Sequence, residues 1–466
     1  MGTEIKYKGT TLVELEAGQT ATLECAGKKM GDNVVVTAST GGSGGGLDIN
    51  GVIEQYKVAS GATVNAGDFV EFASNWGRKS FSSGQARYIA ACKLDNSRVL
   101  VTYQDGGNSN SVTAVVLSLG VSGIVVGEPI ILTTDSNQHF TATTLTDGRV
   151  LVTYCNINST STIAVLLTIK NITISIVSTT TVSSGNSAHP SAVSLNENKV
   201  LLVQSSYRSN RDISDAIVLS VSGTTITKGT LVTLTTQRAY YSSVVALNDD
   251  KVLVVYQDQA NSNYGTAVIL SISGTTITKG NTTVFNASNT EECSATALTD
   301  SKVLVTYRDY GNNSCGTAIL LTVEGTSITV GASSVFKTNS VEYTYVVTLT
   351  PSKALVAFKD TGGNRYGTAI VLTVEGATIS AGVPFAYSST AVNYGSLVAF
   401  AENSVLVLYN DAIGNCVGLN VDGTAITENT ESGAFCWAAT SRLHNVGVAK
   451  TSGSEGEMVD VYCVGS

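Results

Sequence analysis

Charged residues are scarce in this chain. Only 14% of its 466 residues are Asp, Glu, Lys or Arg, the net charge is −9, and no block of Lys or Arg interrupts the sequence. Nucleic-acid-binding domains carry a basic patch, so this composition argues against a nucleic-acid partner. No apolar run approaches the roughly 18 residues that a membrane-spanning helix needs. The first residues also lack the basic and apolar regions of a secretory signal, so we expect no membrane insertion.

The residues that build metal and disulfide frameworks are also few. The chain has three histidines, and its eight cysteines are widely spaced with no CxxC pair. We expect the cysteines to be mostly small buried hydrophobic residues, which is consistent with folding in a reducing cytoplasm. The sequence indicates no metal site and no cofactor. With four prolines, 45 glycines and 43% hydrophobic residues, the composition favours an ordered, β-rich chain.

What the sequence has in abundance is repetition. A pattern of the form "KVLVxY", "D…N…GTA", "ILLxVxG", "TxIT" recurs at intervals of 50 to 52 residues, and the last interval is 43. A period near 50 residues built of strands and turns is typical of a β-propeller, with one four-stranded sheet, or blade, in each repeat. The sequence therefore predicts an all-β fold, a β-propeller of eight four-stranded blades, or of seven if the 43-residue unit or the terminal unit is not a blade.

The two ends of the chain are predicted to complete one blade together. Residues 437–466 are too short for a full repeat, and residues 56–72 match the pattern of a third and fourth strand. Sharing strands from both termini closes a propeller ring and removes free sheet edges. We divide the chain into a small β anchor at 1–39, a Gly/Ser linker at 40–50 and the propeller at 51–466. A β-unit below about 40 residues rarely stands alone, so we expect the anchor to bind another protein or to oligomerise.

Three segments resemble phage proteins. The stretch "TATLECAGKKMGDNVVVTA" is similar to a short element at the start of many structural proteins of phages and prophages of Gram-positive gut bacteria. The ending "NVGVAKTSGSEGEMVDVYCVG" is similar to Gly-rich endings of phage fibre and decoration proteins, and the repeat resembles uncharacterised propeller-type repeats of phage and bacterial surface proteins. The resemblances imply a virion component, made in the bacterial host cytoplasm. They also imply that residues 1–39 attach it to other virion proteins.

Catalytic patterns are missing from the sequence. It contains no GxSxG, HExxH, Walker or EF-hand pattern, and Trp76 and Trp437 lie in no Ser-x-Asp-x-Gly-x-x-Trp turn. Glu291 and Glu292 could be imagined as the acid and base of a glycoside hydrolase. Adjacent residues of a strand point to opposite faces, however, which weakens that interpretation. We therefore expect a protein that is not an enzyme, and keep glycoside hydrolysis as the less favoured alternative.

Alignment of the repeats places a ring-bearing side chain at the start of the first strand of nearly every unit. This first-strand column consists of Tyr88, His139, His189, Tyr241, Glu292, Tyr343, Tyr394 and Trp437. Rings with an apolar face and a polar edge suit the binding of sugars. The column is therefore a candidate ligand-binding site. The alternative is that these side chains only fill the mouth of a wide ring.

A second column follows the second strand of the repeats. It contains Asp105, Asn156, Asp258, Asp309, Asp360 and Asp411. Short Asp and Asn side chains accept backbone N–H bonds in tight turns, so we expect a structural role, with calcium binding as the alternative. A later Asn in the same turns is predicted to take a left-handed backbone conformation, at positions 108, 261, 312, 364 and 415. The residues between these positions vary, which is typical of a recognition surface, and Tyr310 is the ligand-binding candidate among them.

A third column, of aromatic residues near the end of the second strand, is predicted to pack between blades. It contains Tyr103, Tyr154, Tyr256, Tyr307, Phe358 and Tyr409, with Gln204 as the exception.

Taken together, these sequence features favour a virion fibre or adhesin, not an enzyme, that recognises a host-surface carbohydrate through its propeller. A purely structural decoration or fibre protein without a ligand is the alternative. The sequence does not identify the glycan, the host or the oligomeric state.

Overall fold

The fold consists of antiparallel strands. The computed structural model describes residues 76–429 except for 121–122, 136, 157–160, 185–187, 197 and 209–210, together with the backbone of strands nearer the two ends. Among these residues there is no α-helix, and none of the helical segments is long and apolar enough to cross a membrane. The chain divides into two compact units, one of residues 77–119 and 124–429, the other of residues 1–76, 120–123 and 430–466.

The larger unit contains seven sheets, which we number as blades 1 to 7; in blades 1, 3, 6 and 7 two short strands share the fourth position and both pair with the third strand. Blade 1 comprises Ala86–Lys93, Arg98–Asp105, Ser111–Gly120, Gly123–Val126 and Ile130–Thr133; blade 2 comprises Asn137–Thr144, Val150–Asn156, Ser161–Lys170 and Thr173–Ser184. Blade 3 comprises Ala188–Ser194, Lys199–Arg208, Arg211–Ser222, Thr225–Lys228 and Val232–Thr235; blade 4 comprises Ala239–Asn248, Lys251–Asp258, Tyr264–Ser273 and the first part of Thr276–Thr299.

The other three blades follow the same order. Blade 5 comprises the second part of Thr276–Thr299, Lys302–Asp309, Cys315–Glu324 and the first part of Ser327–Thr350. Blade 6 comprises the second part of Ser327–Thr350, Lys353–Asp360, Tyr366–Glu375, Thr378–Ala381 and Phe385–Ala391. Blade 7 comprises Asn393–Ala401, Ser404–Asn410, Gly414–Asp422, Ala425–Glu428 and Arg78–Ser80. Short 3-10 turns at Gln259–Asn261 and Tyr310–Asn312 follow the second strands of blades 4 and 5.

The blades form a closed ring around an axis. The first strand of each blade packs against the first strand of the next, and Asn393–Ala401 of blade 7 packs against Ala86–Lys93 of blade 1. Side chains bond these inner strands together: Thr144 Oγ1 donates to the Lys93 carbonyl at 2.6 Å, and Lys93 Nζ donates to the Phe400 carbonyl at 3.1 Å. The predicted all-β propeller is therefore confirmed, and seven blades lie within the described residues.

The ring closes by sharing strands from the two ends of the chain, as predicted, but the strands are not the predicted ones. Arg78–Ser80 pairs with Gly414–Asp422 and completes blade 7. The segments that we expected to form an eighth blade pair with each other in a closed five-stranded barrel of the smaller unit. The barrel strands are Val52–Val58, Phe69–Phe72, Phe435–Ala438, Val446–Ala449 and Met458–Cys463.

The smaller unit also contains shorter strand pairs. Thr3–Tyr7 pairs with Thr10–Leu15, Thr20–Glu24 pairs with Val35–Ser39, and Thr63–Val64 pairs with Gly453–Ser454. The remaining residues of the predicted anchor at 1–39 and of the linker at 40–50 lie outside the described residues. Division of the chain at residues 39 and 50 therefore stays a prediction.

The hydrophobic cores lie between neighbouring blades, because each sheet is apolar on both faces. The aromatic column of the second strands is central to them, as predicted, and Tyr256, Tyr307 and Phe358 are at most 1% exposed. Four of the six aromatics contact a ring from the outer part of the preceding blade. The ring pairs are Phe285–Tyr307 at 5.5 Å, Phe336–Phe358 at 5.5 Å, Tyr387–Tyr409 at 5.3 Å and Phe81–Tyr103 at 5.4 Å.

The glycine of the repeated "GTA", and Gly414 at the same register position of blade 7, make room for these rings. A Cβ atom added at Gly316 would lie 2.5 Å from the ring of Phe336, and one added at Gly414 would lie 2.5 Å from the ring of Phe81. The Phe81 contact joins the closing strand to blade 1, so the same aromatic packing that links consecutive blades also closes the ring. In blade 3 the aromatic is replaced by Gln204, whose two amide atoms are buried without a hydrogen-bond partner.

Candidate functional site

Every innermost strand carries a β-bulge at the first-strand column. In blade 5, for example, Glu291 pairs with Arg308 and Ser294 pairs with Thr306, so Glu292 and Cys293 together oppose the single residue Tyr307. The bulge residue adopts a left-handed backbone in all seven blades. The φ values are 51° for Tyr88, 53° for His139, 51° for His189, 49° for Tyr241, 54° for Glu292, 53° for Tyr343 and 43° for Tyr394.

This conformation is energetically unfavourable for such residues. A non-glycine residue in the left-handed region costs roughly 1–2 kcal/mol, and bulky side chains are rarely found there. Because the same bulge recurs at seven equivalent positions, it is a regular feature of this fold. Bulges commonly change the direction in which a side chain points. We call these seven residues the axial ring.

The bulges bring the side chains of the axial ring together. They form a chain of ring contacts that runs through six blades, with one contribution from Tyr240, the neighbour of Tyr241. The centroid distances are 5.4 Å for Tyr343–Tyr394, 4.8 Å for Tyr394–Tyr88, 4.9 Å for Tyr88–His139, 3.9 Å for His139–His189 and 5.5 Å for His189–Tyr240. All seven residues are half-buried, so part of each side chain stays accessible. The eighth member of the column, Trp437, has its side chain outside the described residues.

Charged side chains surround the axial ring. Arg308 forms an ion pair with Glu291 at 3.2 Å, and Lys359 forms one with Glu342 at 3.2 Å. The Lys359 ammonium also lies 5.3 Å from the centre of the Tyr343 ring, which is a cation–π distance. Aromatic faces and polar groups thus alternate at this end of the ring of blades.

Further cations lie beside the axial ring in blades 1 and 4. Arg87 donates to Gln85 Oε1 at 2.9 Å and 2.6 Å, and Arg238 donates to the Tyr240 hydroxyl at 3.2 Å. Arg87 and Arg238 are therefore each held by a hydrogen bond to a residue two positions away in the sequence.

The two histidines of the axial ring are held neutral. Burial, and secondarily the neighbouring His189, lowers the pKa of His139 to about 3. Burial, and secondarily Arg238, lowers the pKa of His189 to about 4. Burial also raises the pKa of Tyr88 to about 12 and that of Tyr343 to about 12. Near neutral pH the aromatic part of the axial ring therefore offers uncharged donors and acceptors.

Glu292 is the carboxylic acid of the axial ring. Burial, and secondarily the nearby Glu291 and Glu342, raises the pKa of Glu292 to about 7, although Arg308 and a hydrogen bond from the Tyr343 backbone oppose the rise. The backbone carbonyl of Glu292 accepts a hydrogen bond from Thr344 Oγ1 of the next blade. Its carboxyl group therefore changes charge near neutral pH.

Two residues of the turn column, Asp105 and Asp258, accept the predicted backbone N–H bonds, whereas Asp309 makes no such bond and accepts the side chain of Asn286 instead. Asp105 Oδ1 accepts the Gly107 N–H at 3.0 Å. Asp258 Oδ1 accepts the Ala260 N–H at 3.1 Å and the Thr235 hydroxyl at 2.9 Å. No group of three or more His, Cys, Asp or Glu side chains in the described part of the chain is arranged to hold a metal ion.

The prediction for the later Asn of these turns was wrong. In blades 1, 4, 5 and 6 the left-handed residues lie one or two positions after the predicted Asn, whereas Asn415 lies inside the strand Gly414–Asp422. The left-handed residues are Ser109, Asn110, Ser262, Asn263, Asn313, Ser314 and Arg365.

The ligand-binding candidate Tyr310 lies in the 3-10 turn of blade 5 and is 56% exposed. Arg308 lies 5.7 Å from the centre of its ring.

Sequence reasoning missed a column of polar residues that lies near the end of the second strand, directly before the turn to the third strand. Its side chains donate to the start of the innermost strand of the next blade. The bonds are Gln104 to the Asn137 carbonyl at 2.8 Å, Ser205 to the Ala239 carbonyl at 3.2 Å, Gln257 to Asn289 Oδ1 at 2.7 Å and Lys359 to Asn393 Oδ1 at 2.8 Å. The signal was present, since "YQD", "QSS", "YRD" and "FKD" all place a residue able to hydrogen bond at this point. These bonds hold the axial ring in place from one blade to the next.

An axial cavity lies beside the axial ring. It has a volume of 410 Å³ and is lined by first-strand residues of all seven blades. Tyr241 and Glu292 are the members of the axial ring on its wall. Most other lining side chains are small, such as Ala90, Ser243 and Ser294.

Comparisons with known proteins agree with the fold. No family model matches the chain, and no curated protein matches its sequence. Among solved structures, the BP39L lectin from Burkholderia pseudomallei is similar with a TM-score of 0.53 and 10% identity, over 74% of this chain and 98% of the lectin. The β-propeller domain of the Trilobed protease from Pyrococcus furiosus has a TM-score of 0.44 and 9% identity, over 75% and 98%. The NanB sialidase from Streptococcus pneumoniae has a TM-score of 0.44 and 11% identity, over 73% and 70%. At such identities the likeness concerns the fold alone.

Proposed function

We propose that this propeller recognises a carbohydrate through the axial ring, at the end of the ring of blades where the second strands turn. The observation that carries the proposal is the set of seven left-handed bulges, which direct six aromatic or imidazole side chains toward one place. Aromatic faces pack on the C–H groups of sugars, and their polar edges bond sugar hydroxyls.

The surroundings of the axial ring support the same proposal. Tyr343 and Tyr394 are half-buried, so their rings keep an accessible part, and Arg87 and Glu342 add polar groups nearby. The similar propeller from Burkholderia pseudomallei is a lectin. We extend sugar binding from that lectin to this chain only as a part of the proposal.

We also propose that the protein binds without catalysis. Glycoside hydrolysis needs two carboxyl groups on either side of the bond that is cleaved. Glu291 and Glu292 are neighbours in one strand, and the Glu291 carboxylate forms an ion pair with Arg308 at 3.2 Å. This arrangement suits a structural and binding role for the pair.

The biological setting is proposed on sequence resemblance. The similarity of both ends of the chain to phage structural proteins supports a virion fibre or adhesin. In this proposal residues 1–39 attach the protein to other virion proteins and the propeller contacts the carbohydrate of the host surface. Loss of the protein from virions after deletion of residues 1–39 would be the expected result, measured by immunoblotting of purified particles.

A glycan array tests the carbohydrate proposal. The wild-type protein should bind a subset of glycans, and Tyr343→Ala combined with Tyr394→Ala should abolish this binding. The matched control is Tyr264→Ala combined with Tyr366→Ala, which removes two half-buried tyrosines from third strands and should leave binding unchanged. Circular dichroism must show that both double variants are folded. Equal binding by the axial variant and the wild type would refute the placement, and binding to no glycan would favour the purely structural alternative.

A further inference from the structure

Glu292 interrupts an otherwise aromatic ring. Six of the seven blades place a tyrosine or histidine at this position, and blade 5 places a carboxylic acid there in the same left-handed conformation. Its neighbours within the axial ring are Tyr241 of blade 4 and Tyr343 of blade 6. A carboxyl group among aromatic rings is poorly solvated, so it needs a compensating partner when it is charged.

The protein does not supply a cation for this carboxylate. Arg308 is paired with Glu291 at 3.2 Å, and Lys359 is paired with Glu342 at 3.2 Å. Among the described residues, no lysine, arginine or histidine nitrogen lies within ion-pair distance of the Glu292 carboxylate. Beside the axial ring in blades 5 and 6, Glu291 and Glu342 are thus each paired with a cation, whereas the Glu292 carboxylate is in no ion pair among the described residues.

The unpaired carboxyl group lies on the wall of a cavity. The axial cavity of 410 Å³ is large enough for a small organic molecule. Its other lining residues include the aromatic side chains of Tyr241, Tyr345 and Phe140 and several serines, and none of them carries a charge apart from Glu292. Aromatic faces together with one carboxylate are the environment that binds organic ammonium groups.

We propose that the axial cavity binds a small organic ammonium ion, with the Glu292 carboxylate as its counter-ion and the Tyr241 ring as a cation–π contact. This inference does not rest on the carbohydrate proposal, because the cation lies in the cavity and is bound without any sugar. It assigns Glu292 and Tyr241 to the cavity, while Tyr88, Tyr343 and Tyr394 serve the proposed carbohydrate site.

The electrostatics of the site predict how binding depends on pH. Burial, Glu291 and Glu342 raise the pKa of Glu292 to about 7, and Arg308 opposes them. The other titratable groups near the carboxyl group have raised pKa values and stay neutral; they are Tyr241, Tyr343, Tyr345 and Cys293. Because a cation binds the ionised carboxylate, affinity should rise about tenfold between pH 6 and pH 8, as the ionised fraction rises through a pKa of about 7.

Calorimetric titration of the full-length protein with choline and with ethanolamine tests the inference. The neutral isostere of choline, 3,3-dimethylbutan-1-ol, is the control ligand. We expect at least one ammonium compound to bind at pH 8, about tenfold weaker binding at pH 6, and no binding of the neutral compound. Absence of binding by both ammonium compounds, or equal binding of the neutral isostere, would overturn the inference with the wild-type protein alone.

Variants locate the site. Glu292→Gln keeps the shape of the side chain and should abolish ammonium binding, whereas the same change at the exposed Glu375 should have no effect. As a second variant, Ala142→Leu places a larger side chain on the cavity wall and should weaken binding at least tenfold. Unchanged affinity in a folded Glu292→Gln or Ala142→Leu protein would contradict the assignment. The glycan array result is independent of these outcomes, since no sugar is present.

Discussion

Mild acid should destabilise this propeller through His139 and His189, whose rings lie 3.9 Å apart in the axial ring. Burial lowers the pKa of His139 to about 3 and that of His189 to about 4, whereas a histidine in an unfolded chain titrates near 6.5. The unfolded state therefore takes up two protons that the folded state refuses. Stability is greatest above pH 6.5 and falls as the pH drops toward the folded-state pKa values.

The magnitude follows from these pKa values. Between pH 8 and pH 4.5, each histidine removes about 2.5 kcal/mol of unfolding free energy, and the pair removes about 5 kcal/mol. That loss is a large share of the stability of a typical domain. His139→Phe combined with His189→Phe keeps aromatic contacts at both positions but cannot take up a proton.

Urea unfolding at pH 8 and pH 4.5, followed by circular dichroism, measures the effect. Both proteins should also carry His444→Gln, so that no third histidine titrates. Carboxylic acids contribute equally to both proteins, and the difference between them isolates the pair. We expect the double Phe variant to lose about 5 kcal/mol less than its parent on acidification. An equal loss in the two proteins would refute the argument that these imidazoles are kept neutral by burial.

Three further changes test the packing and the charge of the propeller, each by urea unfolding. Gly316→Ala should cost about 1–3 kcal/mol of unfolding free energy, because the new Cβ meets the Phe336 ring. The control Gly325→Asn, at an open left-handed turn, should cost little. Similar losses of stability in the two variants would contradict the packing argument. Gln204→Leu should stabilise the protein by about 1–2 kcal/mol, because it removes two buried amide atoms without partners, and a destabilised variant would argue against that view. Glu292→Gln should stabilise the protein by about 3 kcal/mol at pH 8.5 and by less than about 1 kcal/mol at pH 5. The reason is that a carboxyl group with a raised pKa destabilises the folded state once it is ionised. A gain in stability that did not depend on pH would disprove the pKa shift.

Much of the fold could be predicted from the period of the sequence. A repeat near 50 residues fixes four strands to a blade, and its columns identify equivalent positions without any structure. The aromatic column near Tyr307 was assigned correctly, because a large apolar side chain recurring inside a strand has few other places to lie. The closing strand was missed because Arg78–Ser80 is only three residues long and consists of exposed polar residues, and therefore carries no hydrophobic alternation.

The candidate site could be predicted in part. The first-strand column was visible because Tyr, His and Glu replace one another at one point of the repeat, as at Tyr88 and His139. The bulge was not visible, since Tyr and Glu, which occupy five of the seven positions, have no intrinsic preference for a left-handed backbone, and the strand pairing imposes it. The unpaired charge of Glu292 also needed the structure, because Arg308 lies close by and only the ion pairs show that it belongs to Glu291.

A crystal structure of the protein soaked with its strongest glycan-array ligand tests the central claim most directly. We predict density for the sugar against the rings of Tyr88, Tyr343 and Tyr394, at the end of the ring of blades where the second strands turn. Sugar density on the outer strands, or between blades away from the axial ring, would contradict the account.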